Sequence, residues 1–497
     1  MGRGIRRLLL LLILLVALGV RLWGITNPLL DDQAWRQADT ASMSTHMLGH
    51  LTDLPSVFMP QLNYDGVAPQ KVELEFPFLP YLLAWTWTLF GWADIWGRLW
   101  SVALSLVTVG GIYVLGRKMF TDRAGLYAAA IYALMPLSIY YGRVVMPEPM
   151  AQAWSVWALA AIWSWRNAQK ESGIWPVGLL MAGAILAKLP QLMLFPVALL
   201  LGFWPLNPKR MTQLVGYSMI VLVPPMVYYL WVHFNVTSAS QFVSGILTGQ
   251  VADTGNLNWK LLIKNVRRGF TDSILLLSGA GLGRLLFFRS PVRRALVVWG
   301  AIAVLYIGVV CARIPLDYYL VPVLPLAALL AAYALDGIKD LPLTVLIILL
   351  LLLVNRGSYT YLTPKYQWNQ AYLSQADWLK DYTSASSVLV LSDPAPMTFY
   401  YARRVGFRLA NVSDEANPFK VLQQFPGDYF IQLPNSAHQE LFWKKVRNCY
   451  PEVGPGIFDL KNPKLSEFVP LKLRIEPSEK ITANLLLRRG RREIHGE

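Results

Sequence analysis

The residues that could do chemistry first appear between the first and second long apolar runs of this 497-residue chain. Residues 31–80 carry seven carboxylates, and Arg36 stands three positions before Asp39. A run of membrane character over residues 8–23 precedes them, so these carboxylates are expected beside a membrane surface. Ionisable groups near a bilayer are costly and usually mark a site, so the segment predicts a functional site there.

Two regions supply carboxylates for acid–base or cation-binding chemistry. Asp39, Glu73 and Glu75 lie in the first region, and Glu148 stands between two prolines at the start of a later apolar run. Two carboxylates that face one cavity can bind a divalent cation, or one of them can act as a general base. These four residues are therefore the first candidates for catalysis or metal binding.

Each carboxylate also has a purely structural interpretation. Asp31 and Asp32 are interpreted as helix caps and interfacial polar residues. Asp39 would cap a helix over residues 40–48, but a functional role is favoured there, and also for Glu75, which is costly at a membrane surface. For Glu148 both interpretations stay open, because the macrodipole stabilises an acidic residue at a helix start by about 0.3–1 kcal/mol.

Several basic residues indicate an anionic partner. Arg36 and Arg143 are two of them, and Lys264 and Arg268 belong to a run over residues 259–268. That run alternates basic and apolar residues at helical spacing, which is typical of a helix on a membrane surface and also suits a lipid-linked phosphate. Lys188 interrupts an apolar stretch two residues before a proline, where a snorkelling lysine and an anion-binding lysine both stay open.

Composition places the chain among polytopic helical membrane proteins. Its mean hydropathy is +0.39, and its 55% of hydrophobic residues suit repeated spans of about 20 residues. The net charge of +15 does not require a nucleic acid, because many basic residues stand at span ends, where the positive-inside rule and anionic lipids account for them. Cys311 and Cys449 give neither a disulfide framework nor a metal spacing.

The charge pattern predicts about eleven transmembrane helices, with the N-terminus in the cytoplasm. Residues 76–92, which are rich in proline and aromatic residues, are predicted to lie on the outer interface without crossing. Lys188 divides residues 174–204 into two short spans. The predicted spans are 8–23, 95–116, 124–141, 149–165, two within 174–204, 214–232, one ending at Arg289, 296–311, 318–335 and 341–354.

This topology divides the chain into two domains. Residues 1–355 form a transmembrane domain with extracytoplasmic loops at 27–94 and 233–269. Residues 356–497 are predicted to form a small soluble α/β domain outside the membrane, because strand-like and helix-like runs alternate there. Strands are predicted at 388–391 and 429–433, with one helix that continues to Arg404 and another over 437–447.

The ordered set of motifs resembles the GT-C superfamily of membrane glycosyltransferases. Within it, the chain looks like bacterial family 39, related to dolichyl-phosphate-mannose protein mannosyltransferases and aminoarabinose lipid A transferases. The matching blocks are Trp35-Arg36-Gln37-Ala38-Asp39-Thr40-Ala41, Glu73-Leu74-Glu75-Phe76-Pro77, Gly97-Arg98, Tyr141-Gly142-Arg143, Met146-Pro147-Glu148-Pro149, Lys188-Leu189-Pro190 and Asp317-Tyr318-Tyr319.

The resemblance implies transfer of a sugar from a polyprenyl-phosphate donor, with inversion at the anomeric carbon. It implies Asp39 as the base and Glu148 as a second catalytic carboxylate, with Asp32 as the alternative base because many relatives carry an acidic pair at the end of the first span. Glu75 and Glu73 would hold a divalent cation (Mg, Mn or Zn), although some relatives need none. The residues implied for donor binding are Arg36, Arg143, Lys188, Lys264, Arg268 and Tyr318.

The implied location is the bacterial inner membrane, with the active site and the C-terminal domain on the extracytoplasmic side. The expected partners are the lipid-linked donor, membrane lipids and a glycolipid, polysaccharide or protein acceptor, with no nucleic acid. A polysaccharide polymerase or ligase and a lipid-linked glycan transporter are the alternatives. A transporter predicts charges buried at mid-membrane and inverted repeats, whereas the charges here gather at one predicted face. An assembly protein would need one anchoring span, not eleven.

Overall fold

The computed structural model contains two compact units. It describes residues 2–168, 173–238, 243–245, 257–288, 290–338, 360–393, 395–409, 412, 416–434 and 440–464. The first unit comprises Met1–Asp32, Glu75–Trp231 and Asp253–Gln367, and the second comprises Gln33–Leu74, Val232–Ala252 and Trp368–Glu497. The second unit therefore joins residues of the predicted first loop to the C-terminal segment, while the predicted boundary at residue 355 stays a prediction.

The first unit is built of apolar helices. Helix Asp94–Met119 packs against Asp122–Leu134 and Glu148–Ala168, and a Cβ on Gly116 would lie only 3.1 Å from the Cα of Gly125, so small residues permit this close approach. The α-helices are Arg3–Leu22, Phe78–Phe90, Asp94–Met119, Asp122–Leu134, Pro136–Tyr141, Glu148–Ala168, Ile174–Ala187, Phe195–Phe203, Pro208–Asn235, Trp259–Phe270, Asp272–Phe287, Arg293–Tyr306 and Leu324–Asp336, with 3-10 helices Leu189–Leu194 and Asp317–Val323 and a π-helix Ile307–Cys311.

Among the described residues, four helical stretches are long and apolar enough to cross a membrane. They are Asp94–Met119, Arg210–Asn235, Arg293–Cys311 and Asp317–Asp336. A fifth is counted if Trp259–Phe270 and Asp272–Phe287, which meet at 88°, form one broken span. The chain is thus a multi-pass membrane protein, and the predicted total of about eleven spans stays a prediction. Predicted span 341–354 lies outside the described residues.

One predicted span is divided in the structure because of a proline, and a predicted surface helix is observed close to its predicted bounds. The predicted span 124–141 is broken into Asp122–Leu134 and Pro136–Tyr141. Met135 is extended, with ψ 131°, because a residue before proline is driven out of the helical region. The predicted surface helix over 76–92 is observed as Phe78–Phe90, which at 13 residues is short for a crossing.

The predicted polar loop over 233–269 is partly helical. Helix Pro208–Asn235 extends into it, and Trp259–Phe270 forms the basic helix that the residue spacing predicted. The interruption predicted at Lys188 is confirmed. This residue is extended (φ −158°, ψ 113°) between helix Ile174–Ala187 and the 3-10 helix Leu189–Leu194.

The second unit combines short helices with two sheets. Strands β1 (Gln61–Leu62) and β2 (Gln70–Lys71) form an antiparallel pair. The α-helices are Ala34–Thr45, Leu54–Val57, Val243–Gly245, Ala371–Tyr382, Met397–Ala402, Pro418–Leu422 and Glu440–Cys449. Five further strands are β3 (Val388–Leu391), β4 (Val405–Arg408), β5 (Tyr429–Ile431), β6 (Glu452–Gly454) and β7 (Ile457–Asp459).

The five-stranded sheet has the order β4-β3-β5-β7-β6. Strand β3 pairs in parallel with β4 and β5, whereas β7 pairs antiparallel with β5 and β6. Phe430 of β5 and Phe458 of β7 are buried with Phe442, Trp443 and Val446 of helix Glu440–Cys449. Strand β3 coincides with the predicted run and β5 with the first three residues of the other one. Consecutive residues of both strands are buried, which explains why continuous apolar runs identify them.

Candidate functional site

Lys188 contacts two carboxylates in the first unit. Its Nζ donates to Oε1 of Glu75 at 2.8 Å and lies 3.0 Å from Oε1 of Glu148. The same Nζ lies 5.3 Å from the centroid of the Tyr318 ring. The structure therefore brings together four of the predicted site residues.

Local backbone structure explains this convergence. Helix Glu148–Ala168 begins at Glu148 and packs against Ile174–Ala187, the helix that ends just before Lys188. The backbone N–H of Phe76 donates to the Leu186 carbonyl at 3.0 Å. This bond ties the residue after Glu75 to the end of the helix that carries the lysine.

Glu148 keeps both of its interpretations. Its position at the first residue of a helix fits stabilisation by the macrodipole. It is also only 2% exposed, and neither of its oxygens accepts a hydrogen bond from the part of the chain that the structure describes. A buried carboxylate is costly unless it is paired, so the charge of Lys188 is its main stabilising neighbour.

Arg143 lies in a second charged cluster of the first unit. Its Nη2 donates to Oδ2 of Asp31 at 2.6 Å, and Nη2 of Arg98 lies 3.1 Å from the same oxygen. The Tyr366 ring stacks on Arg143 at 4.5 Å. The expectation that Asp31 caps a helix is wrong: helix Ala34–Thr45 follows an N-cap at Gln33, and Asp31 instead balances two buried guanidinium groups.

Asp32 belongs to a third cluster, which the sequence did not reveal. Lys365 donates to Asp32 and lies 2.6 Å from Asp317, and Tyr141 and Tyr361 both donate to Asp317. Burial raises the pKa of Asp32, and the charge of Lys365 opposes this rise. The interpretation of Asp32 as a helix cap is therefore wrong too. No local spacing could have indicated Lys365, because 333 positions separate it from Asp32.

Asp39 lies in the second unit, in the middle of helix Ala34–Thr45. It does not cap this helix, so the structural interpretation offered for it is wrong. Its Oδ2 accepts a hydrogen bond from the Tyr64 hydroxyl at 3.2 Å. Burial raises the pKa of Asp39 to about 7, although Arg36 and Arg408 oppose the rise. A carboxylate with such a pKa can exchange a proton near neutral pH.

Glu73 has protein partners in the second unit. Its Oε2 accepts hydrogen bonds from Ser244 N and Oγ at 2.9 and 2.7 Å, and its Oε1 lies 3.0 Å from Nδ1 of His233. Glu75, the other predicted metal ligand, belongs to the first unit. Within the described residues, no three His, Cys, Asp or Glu side chains are placed to hold a metal ion.

The remaining predicted residues are basic. Arg36 is 5% exposed and is one of the charges that act on Asp39. Lys264 and Arg268 are exposed on helix Trp259–Phe270, whose buried residues are Leu262, Gly269 and Phe270. The side chains of Lys264 and Arg268 therefore lie away from the packed side of this helix.

Residues 75–231 match the family model described as dolichyl-phosphate-mannose-protein mannosyltransferase. This segment contains Glu75, Arg143, Glu148 and Lys188, four of the residues discussed above. No curated protein matches the chain in sequence.

Solved structures of membrane glycosyltransferases share the fold. The apo oligosaccharyltransferase of Archaeoglobus fulgidus has a TM-score of 0.57 at 13% identity, over 82% of this chain and 64% of that one. Oligosaccharyltransferase AglB from the same organism, in complex with an inhibitory peptide and a dolichol-phosphate, has a TM-score of 0.59 at 12% identity, over 86% of this chain and 69% of that one. A further structure of the enzyme first named is a complex with Zn and sulfate.

A bacterial structure is similar over a larger share of its own length. ArnT from Cupriavidus metallidurans bound to undecaprenyl phosphate has a TM-score of 0.58 at 17% identity, over 83% of this chain and 88% of that one. The chain thus spans about two thirds of the archaeal enzyme and most of the bacterial one. Residues 75–231 are therefore similar to the dolichyl-phosphate-mannose-protein mannosyltransferase family, and the chain shares its fold with the archaeal oligosaccharyltransferase and with ArnT.

Proposed function

We propose that the protein transfers a sugar from a polyprenyl-phosphate donor to an acceptor hydroxyl or phosphate, with inversion at the anomeric carbon. One observation carries the proposal: Glu75, Glu148 and Lys188 converge within the family-matched segment, although they come from three separate parts of it. Dolichol-phosphate and undecaprenyl phosphate, which are bound in the two relatives, support a donor of this class.

The donor phosphate is assigned to basic and aromatic residues. Lys188 and Arg143 are buried cations in the first unit, and Tyr318 lies beside Lys188. Buried ammonium and guanidinium groups stabilise the negative charge that develops on a departing phosphate. Arg36 is proposed separately as a donor-binding residue of the second unit. Lys264 and Arg268, exposed on an amphipathic helix, would attract the phosphate while the apolar residues contact the lipid chain.

Asp39 is the proposed base. It removes the proton from the acceptor hydroxyl as the acceptor oxygen forms a bond to the anomeric carbon. The bond between that carbon and the phosphate oxygen breaks, and its electron pair leaves with the polyprenyl phosphate. A pKa of about 7 suits this exchange near neutral pH. Asp32 is the less favoured base because Lys365 already pairs with it, and Glu148 is the second proposed catalytic carboxylate.

A divalent cation is not part of this mechanism. Glu75 already pairs with Lys188, and Glu73 accepts three contacts from Ser244 and His233, so neither side chain offers an open ligand set. A divalent cation at Glu75 or at Glu73 remains a prediction from the resemblance, and the Zn in an archaeal relative supports it. It is tested by comparing transfer before and after treatment with a chelator.

The proposed location is the bacterial inner membrane, with the chemistry on the extracytoplasmic face.

Reconstituted protein would be incubated with undecaprenyl-phosphate sugars and a membrane extract as the source of acceptors, and release of undecaprenyl phosphate would be measured. We expect Asp39→Asn and Glu148→Gln to abolish release, while Asp377→Asn, which changes an exposed carboxylate, leaves it intact. Wild-type rates in both site variants would refute the assignment.

A further inference from the structure

The carboxylate of Asp39 accepts a hydrogen bond at one of its two oxygens from the described part of the chain. The Tyr64 hydroxyl donates to its Oδ2 at 3.2 Å. Its Oδ1 is buried and accepts no hydrogen bond within the described part of the chain, and the residue is 1% exposed. One oxygen is therefore oriented by the protein, and the other remains available to a proton donor.

Tyr64 is itself fixed in one orientation. Its ring lies under the guanidinium group of Arg408, 3.5 Å from ring centroid to Cζ, and beside the Phe399 ring at 6.4 Å. Burial and the charge of Asp39 raise the pKa of Tyr64 well above its usual value. The phenol therefore keeps its proton and acts towards Asp39 as a donor.

Arg408 is held by a two-pronged ion pair with Asp65. Its Nε and Nη2 donate to Oδ1 of Asp65 at 3.2 and 3.1 Å, and Nη2 also donates to Oδ2 at 3.0 Å. The Ser238 hydroxyl donates to Oδ2 of the same carboxylate at 3.0 Å. A planar guanidinium paired in this way has little rotational freedom, so it packs in a fixed position on the face of the Tyr64 ring.

Backbone pairing sets the register of these side chains. The N–H of Gly406 in β4 donates to the Asn63 carbonyl at 3.0 Å, and the N–H of Gly66 donates to the Gly406 carbonyl at 3.2 Å. Tyr64 thus lies beside β4 in a parallel bridge. A side chain at Gly406 would place Cβ 1.8 Å from the Leu389 carbonyl oxygen, so this close approach requires glycine.

We infer that Tyr64 and Arg408 are positioning residues for Asp39, so that a residue of the C-terminal segment takes part in the proposed reaction. The inference rests on the proposed function and deepens it. Tyr64 presents a hydroxyl to one carboxylate oxygen and leaves the other for the acceptor proton. Arg408 holds the tyrosine and adds a positive charge that favours the carboxylate form. The C-terminal segment therefore supplies part of the acid–base apparatus.

The groups around Asp39 fix the direction of the expected effects. Arg36 lies on its own helix, Tyr64 and Asp65 lie on the segment beside β4, and Arg408 lies on β4. Helix Met397–Ala402, which packs against the helix of Asp39, carries two further phenols at positions 400 and 401. Loss of the hydroxyl of Tyr64 or of the charge of Arg408 removes an interaction that favours the ionised carboxylate, so Asp39 should hold its proton to higher pH.

Infrared difference spectra of the full-length protein, recorded as a function of pH, test this directly. The carboxyl band that disappears in Asp39→Asn identifies the residue, with an expected wild-type midpoint near pH 7. We expect Tyr64→Phe and Arg408→Gln each to raise the midpoint by about half to one pH unit. The acidic limb of the pH–rate profile should move with it. Tyr382→Phe and Arg447→Gln, which change exposed residues of the same unit, should leave both unchanged.

The experiment can overturn the inference without the transferase assay. Midpoints that stay at the wild-type value in Tyr64→Phe and Arg408→Gln overturn it, as does a protein in which no Asp39-dependent band titrates between about pH 4 and 10. Tyr64→Phe removes a single oxygen, so it remains informative if Arg408→Gln fails to fold. Unshifted midpoints beside loss of transfer in Asp39→Asn refute only the inference, whereas full transfer by Asp39→Asn refutes the role of Asp39 on which it rests.

Discussion

The ammonium group of Lys188 lies 2.8 Å from a carboxylate oxygen of Glu75, although 113 positions separate the two residues. The same ammonium lies 3.0 Å from Glu148. One positive charge therefore stabilises two carboxylates, and removal of the Lys188 ammonium takes this charge away from both. The lysine is thus assigned both a structural role and a role at the donor phosphate, and a substitution there should affect stability and ligand binding together.

Lys188→Gln is expected to weaken binding of undecaprenyl phosphate by about 10- to 150-fold, which corresponds to the ~1.5–3 kcal/mol of a hydrogen bond to a charged group. It should also destabilise the protein by about 3–5 kcal/mol, because a buried ion pair is broken. Titration with the lipid and thermal unfolding measure the two effects. Lys118→Gln, at an exposed helix end, is the matched control. Unchanged affinity for undecaprenyl phosphate in Lys188→Gln would remove this residue from the donor site.

Asp39 should make the stability of the protein depend on pH. Its pKa of about 7 lies above its ordinary value of 3.8, so the folded protein binds this proton more tightly than the unfolded chain does. The stabilisation is fully present below about pH 4 and is lost as pH rises through about 7. By pH 8 the free energy of unfolding has fallen by at most about 4 kcal/mol, because each unit of difference between the folded and unfolded pKa of Asp39 contributes about 1.36 kcal/mol.

Asp39→Asn removes this titration, so the variant should be more stable than the wild type at pH 8 and differ less at pH 5. Thermal unfolding at the two pH values measures the difference. Asp377→Asn, in an exposed helix position, should show no such dependence. A variant that is less stable than the wild type at pH 8 would contradict the buried, proton-binding state of Asp39.

Local sequence signals predicted the elements that depend on local physics. Lys188 before Pro190 predicted the break between two helices, and the apolar run over 388–391 predicted β3, because each signal acts within a few residues. The basic spacing over 259–268 likewise predicted helix Trp259–Phe270. The N-cap assigned to Asp39 was wrong because the helix begins at Ala34, after an N-cap in the left-handed region at Gln33 (φ 60°), which no capping signal marks.

Partners that are distant in the chain could not be predicted in this way. Arg408 pairs with Asp65 across 343 positions, and Lys365 pairs with Asp32 across 333. Each is an ordinary charged residue in its own sequence context. Only the fold makes them neighbours, so the acidic candidates were identified from the sequence while the residues that hold them were not.

Asp31 should contribute strongly to stability because it balances two buried arginines. Arg98 and Arg143 both contact its Oδ2, and all three side chains are fully buried. Asp31→Asn leaves two uncompensated charges, and we expect a loss of about 3–5 kcal/mol, visible as a lower melting temperature. Asp272→Asn breaks the exposed pair with Arg267 at a helix start and should lower the melting temperature far less, because exposed pairs and the macrodipole each contribute about 1 kcal/mol at most. Equal effects of the two substitutions would show that burial does not decide the strength of these pairs.

The exposed basic residues of helix Trp259–Phe270 should govern the salt dependence of donor binding. Lys264 and Arg268 lie on this helix together with the exposed apolar residues Trp259 and Ile263, an arrangement suited to a phosphate head group attached to a lipid chain. Charges at a membrane surface attract anions by about 1 kcal/mol each, and salt screens this attraction.

The double variant Lys264→Gln/Arg268→Gln is therefore expected to weaken undecaprenyl phosphate binding by about 10- to 30-fold at low ionic strength and by less at high salt. Arg267→Gln is the control from the same helix, because Asp272 already neutralises Arg267 through two hydrogen bonds of 2.8 Å. Titrations with this lipid in uncharged vesicles at two salt concentrations distinguish the cases. A loss of affinity that is equal at both concentrations would indicate that the substitutions act through folding of the helix and not through its charge.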